Sequence, residues 1–376
     1  MTVYMDTAAT TPVLPEVAEL VVRLMVEEYG NAGSRTHDIG GRAKKAVNNA
    51  RGQIARVVDV DAEGVVFTSG ATESNNLALL GLAQHGLDIG KKHIISSAIE
   101  HKAVLEPLER LSEQGFDVEL VSPDRRGRVQ AHDVLARLRE DTLLVSLMAV
   151  NNETGVVQPV DQVADGLAGH GAYFHVDGAQ AFGKELTLLR HGRIDMTSVS
   201  GHKLFAPKGV GALVLRRRGY RRVPLTPLML GGGQERGLRP GTVAVPLIAG
   251  LGLACELAVK EHESRRSRCL ALRRDLLEGL RPLGIEVHGD SDYAVPHILS
   301  FHMPGMDSEA LMVLWKDEVA VSNGSACTSA SYTPSHVLTA MQMSEEAVAG
   351  TVRMSWSHLT TLPDLEALTA RLALAG

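Results

Sequence analysis

GVVFTSGATESNNLALLGLAQHG, residues 64–86, is the stretch that decides the fold. Its first five residues form a short apolar run suited to a buried strand. Ser69 and Gly70 break that run, and from Glu73 onward apolar residues recur at helical spacing. A strand that passes through a turn of small residues straight into a helix is half of a βαβ unit. Four more strand-like runs follow: HIISS (93–97), DVELV (117–121), LLVSLMAV (143–150) and AYFHVD (172–177). Helical patterns such as HKAVLEPLERLSEQG (101–115) separate them. This alternation predicts an α/β layer with a mainly parallel sheet between helices.

Past about residue 250 the pattern changes. LIAGLGLACELAVKEHESRRSRCLALRRDLLEGL (247–280) reads as long amphipathic helices, followed by a strand-like ILSFHM, a helix near 307–316, VAVS, and a closing strand and helix. At 376 residues the chain exceeds what one core usually supports. Two domains are therefore expected: a large α/β domain over 11–255, and a smaller α+β domain made of 1–10 and 256–376.

The formal net charge is -6, and the basic residues are scattered. The densest runs, RRRGYRR (216–222) and ESRRSRCLALRR (263–274), read as solvated faces, so no direct nucleic-acid contact is expected. The amino terminus has no basic region ahead of an apolar one, and no apolar run reaches the roughly 18 residues of a membrane helix. A cytoplasmic protein without a membrane segment is the expectation. The three cysteines, Cys255, Cys269 and Cys327, form no CxxC pair and have no ligand spacing, which predicts neither a disulfide framework nor a metal site.

Ligands of parallel α/β sheets sit at the carboxyl ends of the strands, and four strand ends carry suggestive chemistry. Ala71 and Thr72 follow the first strand at a helix N-terminus, where backbone N–H groups stabilise an anion such as phosphate; an ordinary Ser/Thr cap is the plain alternative. The GxGxxG and P-loop spacings are absent, which argues against dinucleotide and P-loop readings. His101 stands just past HIISS, a place where a histidine is ordinarily a cap or a surface residue. Asp177 ends AYFHVD, with Gln180 three residues on; a buried carboxylate there needs a partner, and magnesium, a sugar hydroxyl or a protonated ring nitrogen would each serve. SVSGHKLFAPKGVGALVL (198–215) offers Ser200, His202 and Lys203 between two strands. Such a lysine is normally solvated, but when desolvated its pKa falls and it forms Schiff bases. A phosphate cradle, a strand-end acid and a pocket lysine are the three parts that pyridoxal phosphate requires.

Ten motifs carry a resemblance along nearly the whole chain, in order: MDTAATTP, YGNAGSRTH, TSGATESNN, EHKAV, NNETGVVQP, HVDGAQAFGK, SGHKLFAPKGVGAL, GGGQERGLRPGT, SNGSACTSASYTPSHVL and VRMSWS. Together they resemble the cysteine desulfurases, within the class-V aminotransferase family of fold-type I pyridoxal-phosphate enzymes. SACTSASY is similar to the group with the longer active-site loop. The resemblance implies that Lys203 is the Schiff-base lysine, that Asp177 pairs with the pyridine nitrogen, and that Gln180 bonds the ring hydroxyl. It further implies that His101 stacks on the ring and takes part in proton transfer, and that Ala71, Thr72, Ser200 and His202 hold the phosphate. Thr242 would reach in from the other subunit of a homodimer, and Asn152 and Arg353 would bind the substrate carboxylate and the cofactor edge.

Cys327 lies among serine, threonine, glycine and alanine, without the apolar surroundings of a structural thiol. By the resemblance it is the nucleophile that attacks the sulfur of L-cysteine, releasing alanine and leaving a persulfide for an acceptor protein. No resident metal is expected, although Cys327 could transiently ligate an iron–sulfur cluster. A loop that first reaches a buried pocket and then presents sulfur outward is served by small residues, so mobility is the reading, beside a loop fixed by its own hydrogen bonds. Cys255 and Cys269, on helical patterns, are expected in packing roles.

Some features depart from the family pattern. The chain ends about twenty residues past Arg353, whereas housekeeping iron–sulfur members continue into a scaffold-docking tail. Ala32-Gly33 stands where many relatives have proline, and Leu230 precedes GGG where histidine is common. Iron–sulfur assembly, tRNA thiolation and sulfur modification of the DNA backbone (phosphorothioation) all begin from the same persulfide. The rival readings are a selenocysteine lyase or other fold-type I enzyme, and a non-catalytic binding partner. The cysteine loop argues against a transaminase, and the joint presence of Lys203, Asp177 and Cys327 argues against pure binding.

Overall fold

The computed structural model describes residues 2–323 and 334–373. After a short strand β1 (Val3–Tyr4) come the seven strands of the main sheet: β2 (Val65–Thr68), β3 (His93–Ser97), β4 (Asp117–Val121), β5 (Thr142–Met148), β6 (Tyr173–Asp177), β7 (Met196–Ser200) and β8 (Gly211–Leu215). Their spatial order is β2-β8-β7-β6-β5-β3-β4. The pairs from β4 through β7 are parallel, while β8 runs antiparallel to both β7 and β2. The reversal has a simple cause: only residues 201–210 join β7 to β8, and a parallel crossover needs a dozen residues or more.

Alternate strand residues enter opposite layers. Val65, Phe67, Val145 and Leu147 face one core, while Val66 and Leu144 face the other. The helices α1 (Pro15–Val26) and α2 (Asp38–Val57) supply Val17, Val21, Val47 and Ile54 to the first core; α3 (Ala71–Asp88) and α4 (Lys102–Glu113) supply Leu77, Leu82, Val104 and Leu108 to the second. With both faces covered, β5 and β7 are buried at every position and β6 at all but Tyr173, as parallel sheets require. Two short helices, α5 (Ala131–Leu135) and α6 (Val160–Gly166), complete this layer, and α7 (Val245–Lys260) packs along α1 and α2.

Helix α8 (His262–Leu280) leads to the antiparallel strands β9 (Glu286–His288) and β10 (Ile298–His302), then β11 (Val319–Ala320) and β12 (Thr351–Ser355). These elements share a third core containing Leu276, Phe301, Trp315, Met354 and Trp356. Met5 joins it, because β1 pairs with β11 in parallel, Val3 opposite Val319. The chain's first residues thus pack beside its last hundred. Cys255 and Cys269 are both buried, in helices α7 and α8, in keeping with their predicted packing roles. Among the described residues no helix is long and apolar enough to cross a membrane.

Candidate active site

The carboxyl ends of β2, β3, β5, β6 and β7 meet along one edge of the sheet, and a cavity of about 570 Å³ opens there. Ala71, Thr72, His101, Asn152, Asp177, Gln180, Ser200, His202 and Lys203 all line it. Residues 132 positions apart in the chain are gathered by strand order alone.

One wall is the start of α3. Its N-cap, Gly70, has no side chain to occupy the first N–H groups, and its φ of 157° with ψ of -176° belongs to a region that only glycine adopts freely. A Cβ on Gly211, across the turn, would lie 2.6 Å from the Gly70 Cα, so Gly211 must be glycine for β8 to pass this close, while Gly70 is required by its backbone conformation. The turn is braced from outside: Ser69 N donates to Glu73 Oε2 at 2.7 Å, and Arg239 Nε donates to Glu73 Oε1 at 3.0 Å. Burial raises the Glu73 pKa, but the bonds from Arg239 and Ser69 outweigh it and hold the carboxyl below its usual range. Uncapped N–H groups, a helix dipole and the neighbouring Ser200, His202 and Lys203 make an anion cradle.

Asp177 is buried at the end of β6. Asn75 Nδ2 donates to its Oδ2 at 2.7 Å and the Ala179 N–H to its Oδ1 at 2.9 Å. These donors fix the orientation of the carboxyl group. Below it on the same strand, His175 is bonded by Ser146 and Ser198 at 2.8 and 3.0 Å, and burial pushes its pKa down to about 4, so a neutral ring supports the acid. Gln180 donates to the Ala8 carbonyl at 2.9 Å, while its Oε1 is buried with no partner among the described residues. An orphaned acceptor on the wall of a polar cavity marks a place where a bound polar group belongs.

His101 is both the cap and the cavity residue. As N-cap of α4 its Nδ1 accepts from Ala103 N at 3.0 Å, which leaves the proton of the neutral ring on Nε2. Burial and the nearby Lys203 hold its pKa below the ordinary imidazole value. His202 bonds Thr10 Oγ1 through Nδ1 at 3.2 Å; burial, then Lys203 and Lys208, push its pKa down to about 4. Two neutral imidazoles therefore flank Lys203.

Arg353 does not itself line the cavity. It stands on β12 behind Asn152, 1% exposed, with NH1 donating to the Asn152 carbonyl at 2.9 Å and NH2 to Asp6 Oδ1 at 2.7 Å and Ser322 Oγ at 2.9 Å. Its Nε is buried without a partner among the described residues. Thr242 is exposed and outside the cavity of this single chain. Cys327 and its SACTSASY segment lie outside the described residues.

Several functional neighbours escaped the sequence reading. Asn75 sits in the buried face of α3, where TESNNLALL does show a polar residue at an apolar position. Asp6 and Ser322 hold Arg353 from 347 and 31 residues away, with no local signal. Glu100 is fully buried beside the site: Ser97 Oγ and Met148 N both donate to its Oε1, at 2.6 and 2.9 Å, yet burial raises its pKa to about 8.

The family described as Aminotransferase class-V matches residues 3–368. A curated relative described as cysteine desulfurase IscS, from Vibrio atlanticus, is 42% identical over 376 residues, covering 99% of this chain and 92% of the relative. Among solved structures, a NifS-like protein is similar at a TM-score of 0.89 and 37% identity, covering 100% of this chain and 98% of that one. DndA from Streptomyces lividans is similar at a TM-score of 0.83 and 50% identity, covering 96% and 99%.

Proposed function

The chain belongs to the class-V aminotransferase family, as a pyridoxal-phosphate-dependent cysteine desulfurase, and from that premise we propose that it converts L-cysteine to L-alanine while storing the sulfur as a persulfide on Cys327. The observation that supports this reading is the convergence of Lys203, His101, the Asn75-held Asp177 and an uncapped helix N-terminus on one cavity. The residues present fit the cofactor: the cradle at Ala71 and Thr72, with Ser200 and His202, suits its phosphate, Asp177 its pyridine nitrogen, and the orphaned Gln180 amide its ring hydroxyl.

When bound, pyridoxal phosphate supplies an electron sink for the carbon next to an amino group. The chain supplies the rest. Lys203 would hold the cofactor, and its amine is the base placed to take the Cα proton and to return it to Cα after sulfur has left. Asp177, oriented by donors from Asn75 and Ala179, would face the ring nitrogen. His101 covers the cavity with its Nε2 proton available to the substrate. Asn152, which lines the cavity, is placed to meet the substrate carboxylate, and Arg353, expected from the sequence to bind it directly, instead holds the Asn152 carbonyl from behind, its guanidinium fixed in place by Asp6. The Cys327 thiolate then forms a bond to the substrate sulfur as the Cβ–S bond breaks, and the bonding pair leaves with carbon and is protonated to give alanine. One sulfur moves to the enzyme, and no external oxidant is needed.

The remaining assignments belong to the same proposal: a homodimer in which Thr242 reaches the neighbouring site, a division into large and small domains near the end of α7, a cytoplasmic location, and a protein acceptor for the persulfide. Alanine release from L-cysteine, measured with a reductant for the wild type and Cys327→Ala, tests the core of it. Release by the wild type and almost none by the variant is expected. Equal release from both would replace the persulfide route by a lyase reaction.

A further inference from the structure

A second cavity, of about 50 Å³, lies where the turn after β6 meets α8 and the segment following β12. Its size admits about three or four water-sized groups. Lys184 lines it, and among the described residues its ammonium has no hydrogen bond or ion pair. Glu185, the carboxylate whose charge acts on Lys184, is committed to Arg266 at 2.8 Å, and Arg265 is committed to Glu261 at 3.0 Å. The arginine charges of this wall are thus balanced, whereas that of Lys184 is not. Burial and Lys203 lower its pKa to about 8, as expected of an uncompensated cation. Beside it, His297 is buried and its Nε2 has no partner among the described residues. Phe205 and Trp356 add apolar surface to walls that also hold Thr7, Thr11, His262 and His358.

An unpaired cation, an orphaned imidazole nitrogen and two aromatic walls around a few water volumes describe one kind of ligand. We infer that this cavity is a binding site for a small monocarboxylate of acetate size, held by the Lys184 ammonium and by His297 Nε2–H, with its short apolar end against Phe205 and Trp356. Neither residue belongs to the catalytic cavity.

The test uses the holoenzyme and its Lys184→Met variant in thermal melts, comparing sodium acetate with sodium chloride at equal ionic strength. In chloride, Lys184→Met is expected to melt above the wild type, because an unpaired ammonium has been replaced by an apolar chain of similar length. In acetate, the wild-type midpoint is expected to rise and the variant's to stay. Acetate bound at the catalytic cavity acts on both proteins alike, so the second site is read in the difference. His297→Leu, which keeps Lys184, is expected to weaken the acetate response and guards against a misfolded Lys184→Met. An equal rise in all three proteins, or none in any, would overturn the site.

Discussion

Asp177 and Glu100 are both buried carboxyls near strand ends, yet their oxygens are satisfied differently. Asp177 receives Asn75 and Ala179, one donor on each oxygen. Glu100 receives both its donors on Oε1, and its Oε2 is left buried without a partner among the described residues, so desolvation wins and its pKa rises to about 8. An unfolded glutamate ionises near 4.3. Between those values the folded state keeps a proton that the unfolded chain has released, so stability falls as pH rises through that window. Glu100→Gln, which cannot ionise, is expected to lose less. Urea denaturation at pH 5 and pH 8.5 checks this: the variant should gain on the wild type at the higher pH, and a pH-independent difference between the two would contradict the assignment.

At the scale of elements, the anion cradle is a product of two close passages, that of β8 past Gly70 and that of the GGGQERGLRPGT segment past α3. The second is pinned by Glu235, which sits at a left-handed φ of 48°, accepts from Arg51 at 2.6 and 2.8 Å, and accepts from Phe67 N at 2.9 Å. Arg239 of the same segment then reaches Glu73. Gly70→Ala puts a Cβ into a conformation that side chains avoid, at a cost of about 1–3 kcal/mol, and turns the first N–H groups of α3 away from the cavity. A lower melting temperature together with weaker cofactor retention on dialysis is expected; retention equal to wild type would mean that the phosphate is held elsewhere.

At the scale of the whole molecule, the amino terminus ties the two layers together. β1 pairs with β11, and Asp6 two residues later holds Arg353 of β12 against Asn152 at the sheet edge. Asp6→Ala leaves a buried guanidinium short of its counter-charge and should cost about 3 kcal/mol, with Asp6→Asn, which keeps an acceptor, costing less. Denaturant midpoints of the two variants check the order. The order of strands and helices, the layer type and the catalytic candidates on strand ends were legible in the sequence, because hydrophobic period and small-residue turns are local signals. Each of Ala71, His101, Asp177, Ser200 and Lys203 follows or ends a recognisable strand, so their meeting follows from the parallel sheet. What only the tertiary structure decided is the set of long-range partners. Asn75, though polar at an apolar helix position, does not by itself name Asp177 as its partner, and Asp6 for Arg353 and Arg51 for Glu235 are ordinary polar residues in their own neighbourhoods. So is Lys184, a lysine like any other until the folded chain takes its counter-charge away. A charge acquires meaning from what surrounds it, and those surroundings are assembled from segments up to 347 residues apart.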